Sequence, residues 1–313
     1  MTPATGRAGP TRILCGIAAL GVLAASAGCG TTSRPRSGAV LGDQASTTAS
    51  PPPTTLADTT TTAPPPTTMA PPRATAAPTT SPAATASVAA HAGGPLTGKV
   101  VAIDPGHNGG NFSNPSYINA PIWNGRASEA CDTTGAATDG GYTEAQFNFN
   151  VAGYLAADLA AEGAKVVLTR TTNTGVGPCV TERAAIGNAA HADAAISIHA
   201  DGGPPSGRGF AVLEPVADGP NNAIIGPSAT LGTDIRDTFG AGTGEPVSSY
   251  DGVNGIQPRS DLAGTNLSTV PKVFIECANM RNATDAALLV TTSWQQGAAK
   301  ALAVGITAFL TGR

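Results

Sequence analysis

The sequence predicts a single three-layer α/β domain over residues 96–313, with a mostly parallel central sheet flanked by helices. Short apolar runs that end in turn residues alternate there with longer stretches of helical periodicity, which is typical of parallel strands joined by helices. All seven Phe, both Trp and all four Tyr residues lie at Phe112 or later. We therefore expect the packed core in this part of the chain and a disordered segment before it.

Each predicted element has its own signal. The first strand, KVVAID, is an apolar run stopped by Pro105 and Gly106. The first helix begins at a capping box formed by Thr143 and Gln146. Its core face, at four-residue spacing, consists of Phe147, Val151, Leu155 and Leu159. The predicted strands cover residues 99–104, 164–170, 194–200, 209–215 and 272–278. The predicted helices cover residues 143–163, 180–191, 227–239 and 293–310.

The chain before the domain is predicted to hold an export signal (1–29) and a Pro/Thr/Ala-rich disordered linker (30–95). Two arginines precede an apolar run of about fifteen residues, which suits a signal peptide and is short for a membrane span. Small residues before Cys29 are similar to a lipoprotein processing site, so Cys29 is the candidate lipid anchor. A secreted form without lipid and an uncleaved anchor helix are the alternatives.

The net charge indicates which binding partners are excluded, and the cysteines indicate the cellular compartment. A net charge of −4 with 12% charged residues argues against nucleic acid as a partner. Cys131 and Cys179 lie in two Gly/Thr-rich loops and are expected to form a disulfide after export, with two unpaired thiols as the alternative. Cys277, inside an apolar stretch, is expected to be a buried free thiol. We expect a monomer.

Four residues with chemically useful side chains are predicted to lie at one edge of the sheet. His107 follows the first strand by a turn, His199 and Glu276 end later strands, and Glu144 begins the first helix. Ligands of open α/β sheets bind outside the carboxyl ends of the strands, where the following helices also begin. The four side chains are therefore expected to meet although they are distant in sequence.

Two histidines and one carboxylate suit zinc, and three protein ligands leave a fourth position for water. Zinc lowers the pKa of that water toward about 7 and polarises a carbonyl, while a second carboxylate can move the proton to a leaving amine. Spacing does not decide whether Glu144 or Glu276 is the ligand. Taken alone, His199 could also be a core histidine, and Asp104 could simply cap its turn.

Five ordered stretches carry a resemblance to a known family: VVAIDPGHNGG, GYTEAQFNFNVA, VVLTR, TERAAIGNAAHADAAISIHADGG and PKVFIECANMRN. Together they resemble the zinc-dependent N-acetylmuramoyl-L-alanine amidases of the amidase-3 type, in the stand-alone actinobacterial branch. The resemblance implies that His107, Glu144 and His199 bind one Zn²⁺ and that Glu276 is the catalytic glutamate. Residues 96–313 would then be a zinc amidase catalytic domain.

The resemblance also implies a reaction and a place. The family cleaves the amide between N-acetylmuramic acid and L-alanine of peptidoglycan stem peptides, in wall remodelling, daughter-cell separation or recycling. The protein would be exported to the cell envelope, as a membrane-tethered lipoprotein or secreted to the wall or periplasm. One departure is the run Ile275–Asn279, where the family often has V-E-x-G-F. A non-catalytic, tethered peptidoglycan-binding protein and a zinc peptidase acting within stem peptides are the alternatives.

Overall fold

The computed structural model describes residues 87–88 and 90–313. The predicted signal, Cys29 and most of the predicted linker lie outside these residues and stay predictions. The strands are β1 (Ser87–Val88), β2 (Val100–Pro105), β3 (Pro121–Trp123), β4 (Ser128–Ala130), β5 (Lys165–Leu168), β6 (Ala194–Asp201), β7 (Ala211–Pro215), β8 (Ile256–Arg259) and β9 (Lys272–Asn279). The α-helices are α1 (Pro115–Ile118), α2 (Glu144–Ala161), α3 (Val180–Ala189), α4 (Ile225–Thr243), α5 (Ala263–Asn266), α6 (Ala283–Leu289) and α7 (Thr292–Thr311).

The central sheet has seven strands in the order β1-β5-β2-β6-β9-β7-β8. Strands β5, β2, β6 and β9 are parallel, which confirms the predicted fold class. The two edges depart from this pattern, because β1 and β7 run antiparallel to their inner neighbours and β8 follows the direction of β7. The prediction lacks several elements that the structure shows, among them strand β8, the separate hairpin formed by β3 and β4, and the short helices α1, α5 and α6.

The two faces of the sheet differ in chemistry because side chains alternate along each strand. One face is apolar and packs against α2, α4 and α7, the helices that enclose the main core. Its sheet residues are fully buried and include Val101, Ile103, Ile196, Ile198, Val273 and Ile275. The opposite face, which contacts α3 and α5, carries Asp104, Ser197, His199 and Glu276. The polar chemistry of the molecule is therefore concentrated on one side of the sheet.

The structure of helix α2 confirms the predicted core face and one of the two hydrogen bonds of the predicted capping box. All four predicted core residues are completely buried: Phe147, Val151, Leu155 and Leu159. The Thr143 hydroxyl accepts a hydrogen bond from the Gln146 amide at 3.3 Å. The Gln146 side chain does not return to Thr143, because it donates to Asn150 and accepts from Asn173. The helix start is therefore fixed to the loop after β5 as well as to its own cap.

Element boundaries show smaller differences. Strand β1 lies before residue 96, in the range predicted as linker, and it pairs with β5 at the edge of the central sheet. The last helix, predicted over residues 293–310, begins one residue earlier, and Thr291, which precedes its first residue, makes no side-chain cap bond. In the described part of the chain, no helix combines the length and apolar character needed to cross a bilayer.

Candidate active site

The turn after β2 presents His107 in a conformation that few residues adopt. Its backbone is left-handed, with a φ of 56°, which is uncommon for a residue other than glycine. The preceding Gly106 donates its N–H to the Ile198 carbonyl at 3.0 Å. A Cβ at Gly106 would overlap the His199 ring, so glycine is required for the two histidines to approach each other. The Pro-Gly turn thus brings the end of β2 against the end of β6.

Three of the four predicted side chains converge on one point. Ligand atoms of His107, Glu144 and His199 all lie within 4.8 Å of one another. The Glu144 Oε1 is 2.9 Å from His199 Nδ1 and 3.3 Å from His107 Nε2. Its other oxygen accepts a hydrogen bond from the Ala136 amide at 2.7 Å. The carboxylate at the start of α2 is therefore held in place and faces both rings.

The electrostatics of this cluster favour a cation. Burial alone would raise the pKa of Glu144, but the His107 and His199 rings lower it well below its usual range. Burial would likewise lower the pKa of His107, yet the Glu144 charge and a hydrogen bond to Asp132 raise it to about 10. Positive charge is thus stabilised where the side chains converge. A His/His/carboxylate donor set with that preference fits a divalent metal such as zinc.

Glu276 lies next to the cluster of His107, Glu144 and His199 but is not part of it. Strands β6 and β9 are adjacent, and His199 is the register partner of Glu276. The Glu276 Oε2 is buried and has no hydrogen-bond partner among the described residues. Burial, followed by the charges of Glu144 and Asp201, raises the pKa of Glu276 well above its usual value. The structure thus groups Glu144 with the histidines and leaves Glu276 as a separate carboxyl with an affinity for a proton.

Space for a substrate lies on both sides of the histidines. One cavity of about 240 Å³ is lined by both rings and by Asp132 and Phe274. A second cavity, of about 370 Å³, shares those rings and Phe274 and is bordered by Glu276 and Arg259. The Phe274 ring stacks on His199 with centroids 5.2 Å apart and lines both cavities. A substrate crossing the cluster would therefore pass Glu276 on one side only.

Asp104, Arg170 and Arg183 are buried near the site and make structural contacts. Asp104 is a strand residue and does not cap its turn; it accepts hydrogen bonds from the side chains of Thr169, Ser197 and Arg183. Arg183 also contacts Asp132 at 3.1 Å, so it bridges two carboxylates. Arg170 forms no ion pair among the described residues. It donates instead to carbonyl oxygens, those of Pro105, Gly106, Ala145 and Thr172.

A disulfide connects Cys131 and Cys179, with an S–S distance of 2.03 Å. Cys277 is buried and forms no disulfide within the described part of the chain. The Oδ1 of Asp132, next to Cys131, is 3.0 Å from His107 Nδ1, and as an ionised carboxylate it accepts a hydrogen bond from that nitrogen. Sequence reasoning missed Asp132, because the only local signal is an aspartate beside a loop cysteine, 25 residues from the histidine that it contacts.

Comparison with known proteins agrees with this geometry. The family model described as N-acetylmuramoyl-L-alanine amidase (amidase-3) matches residues 101–308. The chain is 41% identical over 217 residues to N-acetylmuramoyl-L-alanine amidase Rv3717 of Mycobacterium tuberculosis, covering 69% of this chain and 88% of that protein. Two crystal structures of the N-acetylmuramyl-L-alanine amidase Ami1 are also similar. The Mycobacterium smegmatis structure has 41% identity and a TM-score of 0.66, covering 70% of this chain and 99% of that one.

The second Ami1 structure, from Mycobacterium abscessus, has 40% identity and a TM-score of 0.65, and the match covers 69% of this chain and all of the other. The matched region contains every residue of the candidate site, from the β2 turn to the end of β9. The chain therefore belongs to the amidase-3 family of N-acetylmuramoyl-L-alanine amidases.

Proposed function

We propose that this protein is a zinc-dependent amidase that hydrolyses the bond between N-acetylmuramic acid and the L-alanine of peptidoglycan stem peptides. One observation carries the proposal. His107, Glu144 and His199 place their ligand atoms within 4.8 Å of one another, with Glu276 alongside on the neighbouring strand. Family membership supplies the substrate class.

In this proposal His107, Glu144 and His199 hold one zinc ion. When bound, zinc would supply Lewis acidity, lowering the pKa of a water molecule and polarising the amide carbonyl. Glu276 would accept a proton from the attacking water and deliver it to the nitrogen of the leaving L-alanine. Its buried Oε2 without a protein partner, and its raised pKa, suit a group that must hold a proton during the reaction.

The direction of the substrate follows from the position of Glu276. The group that protonates the leaving amine must lie beside that nitrogen, within hydrogen-bond distance. The stem peptide would therefore extend into the cavity bordered by Glu276 and Arg259. The lactyl group and its sugar would lie on the side of Asp132.

We also propose that the protein works outside the cytoplasm. The substrate is extracytoplasmic, and a disulfide is stable in an oxidising compartment. Residues 1–29 would direct export, residues 30–95 would act as a tether, and residues 96–313 would be the catalytic domain. Cys29 would carry a lipid that attaches the tether to the membrane. Replacement of Cys29 by serine should then release the protein from the membrane fraction, as measured by immunoblotting of fractionated cells.

Digestion of purified muropeptides by the full chain, followed by mass spectrometry, tests the reaction. An amidase releases peptides with a free N-terminal alanine and leaves a sugar with a free lactyl carboxylate. A peptidase leaves that alanine on the sugar, which would overturn the proposal. Muropeptide binding without cleavage in zinc-containing buffer would favour the non-catalytic envelope protein instead.

Two substitutions separate metal binding from proton transfer. Glu276→Ala should keep zinc and lower kcat by about 10²- to 10⁴-fold, the usual contribution of a general acid–base group. His107→Ala should lose zinc, as measured by metal analysis after dialysis. Glu162→Ala, in which the substituted residue caps the opposite end of α2, is a matched control and should change neither quantity. Normal turnover by Glu276→Ala would show that the assigned mechanism is wrong.

A further inference from the structure

The hydrogen bonds around His107 determine which of its ring nitrogens can bind a metal. Nδ1 lies 3.0 Å from the Asp132 Oδ1 and 3.2 Å from the Thr133 carbonyl oxygen. Both neighbours are acceptors when the carboxyl is ionised, so the proton of the neutral ring belongs on Nδ1. The unprotonated Nε2 then faces Glu144 at 3.3 Å. Asp132 therefore sets both the tautomer and the orientation of this ring.

Asp132 is itself fixed by Arg183. The Arg183 Nη2 donates to the second Asp132 oxygen at 3.1 Å and to the His107 carbonyl at 2.9 Å. The Arg183 guanidinium thus holds two groups in place: the Asp132 carboxylate, which orients the His107 ring, and the left-handed backbone of His107 itself. The exposed fractions of the Arg183, Asp132 and His107 side chains are only 2%, 3% and 12%. At such burial these contacts are little weakened by solvent.

The disulfide links the segment that carries Asp132 to the helix that carries Arg183. Cys131 immediately precedes Asp132, and Cys179 is the N-cap residue of α3, the helix that carries Arg183. The Cys131 carbonyl also accepts a hydrogen bond from the Val180 amide at 2.9 Å. Cleaving the disulfide would remove the covalent link between the segment of Asp132 and helix α3, which carries Arg183.

We propose that Asp132 is a positioning residue for the metal ligand His107, and that the Cys131–Cys179 disulfide maintains the zinc affinity of the site by holding Asp132 in place. This inference rests on the proposed assignment of His107, Glu144 and His199 as zinc ligands. It adds that the redox state of two cysteines outside the ligand set controls how tightly zinc binds.

The first test measures zinc affinity directly, by competition with a chromophoric chelator on metal-free protein. Asp132→Ala should bind zinc about 10- to 100-fold more weakly, the usual effect of removing the carboxylate behind a ligating histidine. Asp132→Asn should lose less, because its amide oxygen can still accept from Nδ1. Asp237→Ala, an exposed aspartate on α4, is the matched control and should keep the wild-type Kd. Excess zinc should restore turnover of Asp132→Ala.

The second test asks whether the disulfide acts through Asp132. The Cys131→Ser/Cys179→Ser variant should bind zinc more weakly than wild type, measured at a temperature where thermal unfolding shows it folded. Adding Asp132→Ala to that variant should cause little further loss, because both changes release the same side chain. Independent losses that add in free energy would overturn the role of the disulfide.

The outcomes distinguish this inference from the proposed function. If the wild type binds no zinc, or if His107→Ala binds it as well as wild type does, both fail. If the wild type binds zinc, His107→Ala does not, and folded Asp132→Ala binds with the wild-type Kd, only the positioning role of Asp132 is overturned. A loss of turnover in Asp132→Ala that excess zinc does not restore would also count against the positioning role of Asp132, because that result indicates damage to packing.

Discussion

At the scale of single residues, the site is supported by buried charge. Asp104 and Asp132 share Arg183, which also donates a hydrogen bond to the His107 carbonyl, so this buried group of charges adjoins the His107 turn. Burial opposes ionisation of Asp104, but Arg183 and Lys272 lower its pKa far below the usual range. The carboxylate is therefore charged at all ordinary pH values, and removing it would leave part of the Arg183 charge uncompensated.

We predict that Asp104→Asn lowers the free energy of unfolding at neutral pH by about 2–4 kcal/mol, because it breaks a buried ion pair. A carboxyl whose pKa is lower in the folded state contributes stability above its unfolded pKa, near 4, and loses it only as the pH falls further. The difference between wild type and variant should therefore shrink below about pH 4. Urea unfolding of the metal-free proteins measures it, and a constant difference would contradict the role of the charge.

At the scale of elements, the loop 202–209 that follows β6 is held in place by buried charges and by an aromatic ring. Its Arg208 forms ion pairs with Glu245 at 3.0 Å and with Asp285 at 2.9 Å, and both carboxylates are buried. The Tyr250 ring lies where Cβ atoms on the two glycines at 203 and 207 would be, and its hydroxyl donates to Asp201 at 2.8 Å. The loop is thus fixed in place, and Gly202 at its start lines the cavity bordered by Glu276 and Arg259.

Arg208→Ala should lower the free energy of unfolding by about 1–3 kcal/mol, because it leaves two buried carboxylates without their cation. The lower part of the range for buried pairs applies, since the Arg208 side chain is 37% exposed. Cleavage by a protease at residues 202–209 should also become faster. Arg208→Lys, which keeps the charge but not the paired geometry, should lie between wild type and alanine in urea unfolding.

Glu245 should give this loop a pH dependence. Burial raises the pKa of Glu245 to about 7, with Arg208 opposing the shift and Asp285 adding to it. A carboxyl whose pKa is higher in the folded state stabilises the fold fully below its unfolded pKa and ceases to do so as the pH rises through 7. Between about pH 5 and pH 8 the wild type should lose about 1–3 kcal/mol that Glu245→Gln does not lose. Parallel stability curves in urea unfolding would contradict this prediction.

At the scale of the whole molecule, the disulfide constrains the domain. It joins residues that are 48 positions apart and links the loop after β4 to α3. A cross-link closing a loop of that length restricts the unfolded chain and stabilises a fold by about 4 kcal/mol. The Cys131→Ser/Cys179→Ser variant should lose about that amount in urea unfolding. Equal stability of oxidised wild type and variant would show that the loop is held by its other contacts alone.

The sequence by itself determined the fold class, the parallel centre of the sheet and the candidate residues His107, Glu144, His199 and Glu276. These follow from local patterns: apolar runs, four-residue spacing and turn residues mark elements, and chain order places strand ends at one edge. The same local signals could not predict the antiparallel β7, because the direction of an edge strand depends on how the chain between two strands packs.

Spacing along the chain left open which glutamate joins the histidines, and the tertiary structure groups Glu144 with them, as the family resemblance implies. Glu144 and Glu276 are both carboxylates near a strand end, and the choice depends on α2 pointing its first residue between the two rings. The contact of Asp132 with His107 likewise joins residues far apart in sequence through a disulfide and a buried arginine. Such contacts arise from packing between elements. Periodicity along the chain reports which side of an element is buried, and it carries no information about which distant side chain that element meets.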